Sequence, residues 1–169
     1  MLSRIKSVDD LELEGRRVLI RADLNCLVNE DGLLLDDGPI LAALPTIQLA
    51  RQRGGKVIVC SHLGRPKGRP RKELSMVTVG ERLAELLKTD IFLPDDCIGD
   101  GPRKLALNLR ESQVMLLENV RFHKGETKSD DAFSRGLAIS SVRFVTGWSS
   151  PGSSLRKRPE LRSCAVGSM

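Results

Sequence analysis

Aromatic side chains are scarce in this chain: there is no tyrosine, one tryptophan and four phenylalanines. The most basic stretch, residues 61–75, holds Arg65, Lys67, Arg69, Arg71 and Lys72 but no aromatic residue at all. Single-stranded nucleic acid is bound by cations interleaved with stacking faces, so this stretch argues against a nucleic-acid partner. Long apolar runs are missing too. No segment approaches the ~18 apolar residues of a membrane span, and Met1–Lys6 leads into acidic residues instead of an apolar signal segment, so no membrane partner is expected. The four cysteines, Cys26, Cys60, Cys97 and Cys164, show no metal-ligand spacing. No metal site is read from them; free thiols in a reducing cytosol, hence a cytoplasmic location, are expected.

One sign of charge is also scarce near the end of the chain. Residues 140–169 carry Arg143, Arg156, Lys157, Arg158 and Arg162 against a single acid, Glu160. Residues 1–139 then hold 22 basic and 21 acidic side chains. The sequence pI near 9.3 therefore describes the last 30 residues and says little about the rest. At 169 residues, 40% hydrophobic and 29% charged, the chain has the size and composition of one globular domain with a real core.

What is present is a repeated arrangement. Three apolar, strand-like runs each end in a short polar loop carrying arginine. Val18–Ile20 leads into Arg21-Ala22-Asp23-Leu24-Asn25, and Val57–Cys60 into Ser61-His62-Leu63-Gly64-Arg65-Pro66-Lys67-Gly68. Val114–Leu117 leads into Glu118-Asn119-Val120-Arg121-Phe122-His123-Lys124-Gly125-Glu126. The alternation in Arg21-x-Asp23-x-Asn25 projects three polar groups to one side. Arginine can hold a phosphate or carboxylate in bidentate fashion, and Asp and Asn can meet substrate hydroxyls; a local Arg21–Asp23 pair is the simpler reading of that motif alone. His62 adds a titratable imidazole, and Gly64 a permissive backbone.

Between the strands, periodicity predicts helices. Pro39 suits a first helical turn after the Asp36-Asp37-Gly38 turn, with Ile40, Leu41, Leu44, Ile47 and Leu49 following, and Gly54-Gly55 ending the run. Ser75 reads as the cap of a second helix with Met76, Val79, Leu83, Leu86 and Leu87. Asp90–Leu93 reads as a short strand and Asp130–Ile139 as a helix with acids at its start. The order β-α-β-α-β-β-α requires parallel strands joined by right-handed crossovers. The expected fold is α/β: a three-layer, doubly wound, Rossmann-like parallel sheet forming a single incomplete domain. In such sheets ligands bind at the carboxyl ends of the strands, where all three arginine loops would open.

The three loops, with Ala42-Ala43-Leu44-Pro45-Thr46-Ile47, resemble the N-terminal, substrate-binding domain of phosphoglycerate kinase from about Leu11 to Leu137. The resemblance implies reversible phosphoryl transfer between 1,3-bisphosphoglycerate and Mg-ADP in glycolysis, by a cytoplasmic, usually monomeric enzyme. It implies that Asp23 and Asn25 meet substrate hydroxyls or carboxylate. It makes His62, Leu63, Gly64, Arg65 and Arg121 the anion-binding segment for 3-phosphoglycerate. Such chemistry works by positioning and charge stabilisation.

Three departures limit that expectation. The family's Asp-Asp-Thr-Arg-Ile-Arg pattern aligns with Asp36-Asp37-Gly38-Pro39-Ile40-Leu41, so the arginine that is catalytic in the family falls on Pro39, and a second on Leu41. Leu27 stands where the family usually has proline. The nucleotide-binding domain that holds Mg-ATP or Mg-ADP is expected to be absent, and no Gly-x-x-x-x-Gly-Lys-Ser/Thr loop replaces it. Two domain assignments follow: residues 1–139 as the partial substrate domain, and 140–169 as a divergent Ser/Arg-rich tail, from a shifted frame or truncated gene. A non-catalytic remnant that binds phosphorylated anions weakly is the alternative to an active kinase.

Overall fold

A computed structural model describes residues 8–139 and 143–146; of the tail expected at 140–169, all but 143–146 lies outside the described residues. In chain order the strands are β1 (Arg17–Arg21), β2 (Leu27–Val28), β3 (Leu34–Asp36), β4 (Lys56–Cys60), β5 (Ile91–Phe92), β6 (Val114–Leu116) and β7 (Arg143–Thr146). The helices are α1 (Gly38–Gln52), α2 (Val77–Leu87), α3 (Asp100–Asn108), α4 (Lys124–Lys128) and α5 (Asp131–Ile139).

Five strands form one sheet in the order β5-β6-β4-β1-β7, and every pair is parallel. The three arginine loops leave β1, β4 and β6, which are adjacent, so they open side by side. The register pairs Val18 with Val57 and Val57 with Val114.

Because side chains alternate across a strand, the apolar runs feed two cores. Val18, Ile20, Val57, Val59, Val114 and Leu116 pack in one cluster with Ile40, Ala43, Ile47 and Ala50 of α1 and Val79, Leu83 and Leu87 of α2. Leu19, Ile58, Cys60, Met115 and Leu117 form the other, with Ala106 of α3 and Phe133 and Leu137 of α5. Strands buried on both faces read as continuous apolar runs for this reason. Each fully buried aliphatic side chain contributes about 1.5–3 kcal/mol. The result is the expected three-layer α/β arrangement.

Several elements differ from the sequence expectation. The segment before α1 is a small antiparallel hairpin, β2–β3, and α3 fills the interval between β5 and β6. Ser75 precedes α2 by two residues, with Met76 at the cap position and no side-chain cap of its own. The amide of Met76 instead donates to Glu118 Oε1 at 2.8 Å, and the Ser75 hydroxyl to Glu118 Oε2 at 2.7 Å. The Ser75 Oγ in turn accepts the Val77 N–H at 3.3 Å, so Ser75 and a carboxylate from the third loop cap α2 together. The sheet also takes in β7, which pairs with β1.

Candidate functional site

The chain after β1 keeps the alternation of a strand without pairing as one. Ala22, Leu24 and Cys26 are buried, while Asp23 and Asn25 face outward. Backbone and side-chain polar groups then tie this loop to the next. Leu24 N–H donates to the buried Ser61 Oγ at 2.8 Å, and Gly64 N–H donates to Asn25 Oδ1 at 2.7 Å. Gly64 has φ +60°, and a Cβ there would lie 2.8 Å from Leu74 Cδ2, so the turn requires glycine.

The third loop is tied to the second by the fully buried Asn119. Its Nδ2 donates to the carbonyls of Leu63 and Leu74 at 2.8 and 2.9 Å, and its Oδ1 accepts from Arg121 N–H at 3.0 Å. Val120 N–H donates to Ser61 O at 3.1 Å. Arg121 Nη1 donates to Gly64 O at 3.0 Å. Leu63 is buried, so its side chain serves the core and its carbonyl serves the loop.

Charge converges on this frame. Arg21 pairs with Glu126, Nη2 to Oε1 at 2.6 Å, and not with Asp23. Arg121 Nε lies 3.7 Å from Glu126 Oε2; it is buried and lacks a hydrogen-bond partner among the described residues. His62 Nε2 lies 4.0 Å from Asp23 Oδ1. Burial, then the Arg121 guanidinium, hold the His62 pKa below its ordinary value, with Asp23 and Glu126 pulling the other way. At neutral pH the imidazole is uncharged, and an arriving anion would favour its protonation.

Thus Arg21, Asp23, Asn25, His62, Gly64, Arg121 and Glu126 meet at one edge. Arg65 is more exposed. It lines a cavity of about 470 Å³ together with Lys67, Arg121, Lys124 and Lys128, and with Pro66, Gly68 and Thr127. Arg121 belongs to both the cleft and this cavity, whose lining has five cations and no carboxylate.

Pro39 is the second residue of α1, and Leu41 is exposed beside it. This helix start borders the first loop: the Cys26 thiol, next to Asn25 in the chain, takes a backbone contact from Ile40. Burial and nearby Asp36 push that thiol up to about 11. Neither Pro39 nor Leu41 offers a donor to an anion.

Sequence reasoning did not single out Glu126, Ser61, Lys124 or Lys128. Glu126 stood inside the third motif, and a cleft that gathers arginines needs a counter-charge; that was the available signal. His123, the other histidine, turns away from the cleft, with Nε2 2.6 Å from Asp96 Oδ1 and its ring 5.3 Å from that of Phe133.

Comparison with known proteins agrees with this picture. A family model described as phosphoglycerate kinase matches residues 8–146. The phosphoglycerate kinase of Anaeromyxobacter sp. (strain Fw109-5) is 53% identical over 136 residues, which cover 79% of this chain and 34% of that protein. The Clostridium tetani phosphoglycerate kinase is 42% identical over 142 residues, 83% of this chain and 35% of that protein. Among solved structures, phosphoglycerate kinase from Coxiella burnetii superposes with a TM-score of 0.71 at 33% identity, over 82% of this chain and 34% of that one. The Pyrococcus horikoshii OT3 enzyme gives 0.75 at 25% identity, over 84% and 36%. The chain spans about a third of the length of the curated relatives it matches.

Proposed function

The chain belongs to the phosphoglycerate kinase family, and on that premise we propose that residues 8–146 form a substrate-binding domain for 3-phosphoglycerate and 1,3-bisphosphoglycerate. One observation carries the reading: three loops from adjacent parallel strands are hydrogen-bonded into a single edge where Arg21, Asp23, Asn25, His62 and Arg121 converge. Arg121, whose buried Nε makes no hydrogen bond among the described residues and lies 3.7 Å from Glu126 Oε2, and Arg21 supply charge-assisted donors for phosphate or carboxylate, and Asp23 and Asn25 meet hydroxyls. Arg65, with Lys67, Lys124 and Lys128, extends the positive field outward.

Whole members of the family pass a phosphoryl group to or from Mg-ADP in glycolysis, and a role in that reaction is the broader proposal, as are a cytoplasmic location and a monomeric state. The basic cavity beside the cleft does not fit a magnesium nucleotide. The lining of the basic cavity has no carboxylate for the ion and no aromatic or branched aliphatic slot for the base. No catalytic step is therefore assigned here. The 169-residue polypeptide by itself binds the glycerate substrate and does not turn it over, chiefly because the basic cavity offers no seat for the nucleotide, and further because Pro39 and Leu41 place no guanidinium at the start of α1. That apolar helix start favours a second reading, a non-catalytic anion binder. The domain is drawn to residue 146, since β7 pairs with β1; 147–169 is assigned as a divergent tail.

Calorimetry with 3-phosphoglycerate and a coupled assay with Mg-ATP separate the readings. Binding without turnover is expected. Turnover above a blank would restore the full kinase reading, and absence of binding would remove both.

A further inference from the structure

His123 closes the third loop, yet its imidazole meets the loop after β5, with Nε2 2.6 Å from Asp96 Oδ1. Cys97 completes a trio: one ligand atom each from Asp96, Cys97 and His123 all lie within 4.8 Å of one another. Among the described residues this is the one grouping of at least three such donors.

We propose that Asp96, Cys97 and His123 form a binding site for a borderline-soft divalent metal ion, with zinc the best match. A nitrogen, a sulfur and a single carboxylate oxygen suit zinc, whereas magnesium or calcium calls for a set of oxygens. In a tetrahedral zinc site the metal–ligand distances are about 2.0–2.3 Å, so donors stand roughly 3.3–3.8 Å apart. The trio brackets that spacing. The Asp96–His123 pair opens from 2.6 Å as the ion replaces the shared proton, and the widest separation closes from at most 4.8 Å. The thiol gives its proton to solvent as the metal–sulfur bond forms.

The surroundings are those of a built site. Cys97 is fully buried in the apolar cluster that includes Ala106, Leu109 and Phe133, which keeps water from the sulfur side. The Phe133 ring holds the His123 ring, and the Cys97 amide donates to Asp96 Oδ1 at 2.6 Å, fixing the carboxylate. On the other side, Asp95, Asp96, Glu118 and His123, with Arg71 and Lys72, line a cavity of about 580 Å³; its three carboxylates outnumber its two cations, and it admits the ion and a water for the fourth position. A bound ion would fasten β5, an edge strand of two residues, to the loop that carries Arg121.

Cobalt(II), a coloured stand-in for zinc, tests this in the full 169-residue chain. One equivalent is expected to give tetrahedral visible bands and a thiolate-to-cobalt charge-transfer band, both abolished by zinc. Cys97→Ser should remove the charge-transfer band, and Asp96→Asn and His123→Gln should each weaken binding at least about tenfold. Cys164→Ser should change nothing. A missing thiolate band at saturating cobalt, or one lost in Cys164→Ser and kept in Cys97→Ser, overturns the proposal. If Cys97→Ser does not fold, unchanged affinity in both Asp96→Asn and His123→Gln overturns it equally.

Discussion

The cleft loops and the hairpin that precedes α1 lie next to each other and are secured by different means. The cleft loops are fastened to one another by polar groups with almost no exposure: Ser61 is 1% exposed and Asn119 0%. The hairpin and the start of α1 instead expose Leu27, Leu33, Leu35 and Leu41 at 62, 60, 61 and 46%. They are held from outside, by the Thr78 hydroxyl donating to Gly32 O at 2.9 Å and by the Arg82–Asp37 ion pair at 2.7 Å. In the cleft, Ser61, Asn25, Asn119 and Arg121 each bond to another loop, so a substitution propagates. In the hairpin it stays local. Gly38, Pro39 and Leu41 depart from the family pattern on the side where departure costs the fold little, while the buried Ile40 between them keeps it.

The largest break in that comparison is Asn119→Ala. It removes three hydrogen bonds and strands two buried carbonyls, at roughly 1–3 kcal/mol for each group left unsatisfied. A loss of about 3 kcal/mol in a urea titration is expected, with loss of 3-phosphoglycerate binding. A loss below about 1 kcal/mol would mean that the loops do not depend on this residue.

Arg121→Ala comes next. Its effect falls on the ligand: a charge-assisted contact is worth roughly 1.5–3 kcal/mol, or tenfold or more in the dissociation constant for 3-phosphoglycerate by calorimetry. Unchanged affinity would take Arg121 out of the site.

That ranking also explains what the sequence made legible. β1, β4 and β6 were readable because a strand buried on both faces has no choice but a continuous apolar run. The alternation at Asp23 and Asn25 was readable for the same geometric reason, even past the end of β1. The capping of α2 was readable in part: Ser75, whose Oγ takes the Val77 N–H, stands beside the helix, but the second acceptor, Glu118, lies 42 residues from Met76 in the chain. The helix α3 did carry a signal, with Pro102, Leu105, Ala106 and Leu109 at i, i+3, i+4 and i+7, but it opens on Gly99-Asp100-Gly101-Pro102, which reads as a turn. Of its leucines, the hairpin shows Leu27, Leu33 and Leu35 to solvent and turns only Leu34 to the core, so three apolar residues stand where a strand's polar face is expected. Glu126 was visible as a letter, but its pairing with Arg21, 105 residues away, is a product of the sheet order.

A smaller effect is expected from pH, through His62. Its pKa is lowered in the fold, chiefly by burial, so the unfolded chain binds the proton more readily. Stability is therefore full above the unfolded value of about 6.5 and declines as pH falls from there through the lower folded value. Glu126→Gln removes a charge that favours the imidazolium, and should shift the His62 titration, followed by NMR, to still lower pH. A shift upward would show that Glu126 does not act on the cleft's field.

The smallest effect belongs to the helix start. Pro39 restricts the unfolded chain, a contribution of about 0.4–1 kcal/mol. An arginine in its place would also meet the positive end of the α1 dipole, at about 0.3–1 kcal/mol. Asp36 and Asp37 stand immediately before it and offset part of that repulsion. Pro39→Arg should thus cost about 1 kcal/mol or less in stability. An exposed cation at this edge is screened by solvent, so affinity for 3-phosphoglycerate should rise by at most about threefold, and the 169-residue polypeptide should still show no turnover with Mg-ATP. A gain of tenfold or more would place residue 39 within reach of the bound anion. The helix start would then belong energetically to the cleft, and the contrast between an interlocked site and a locally tolerant hairpin would fail at its boundary.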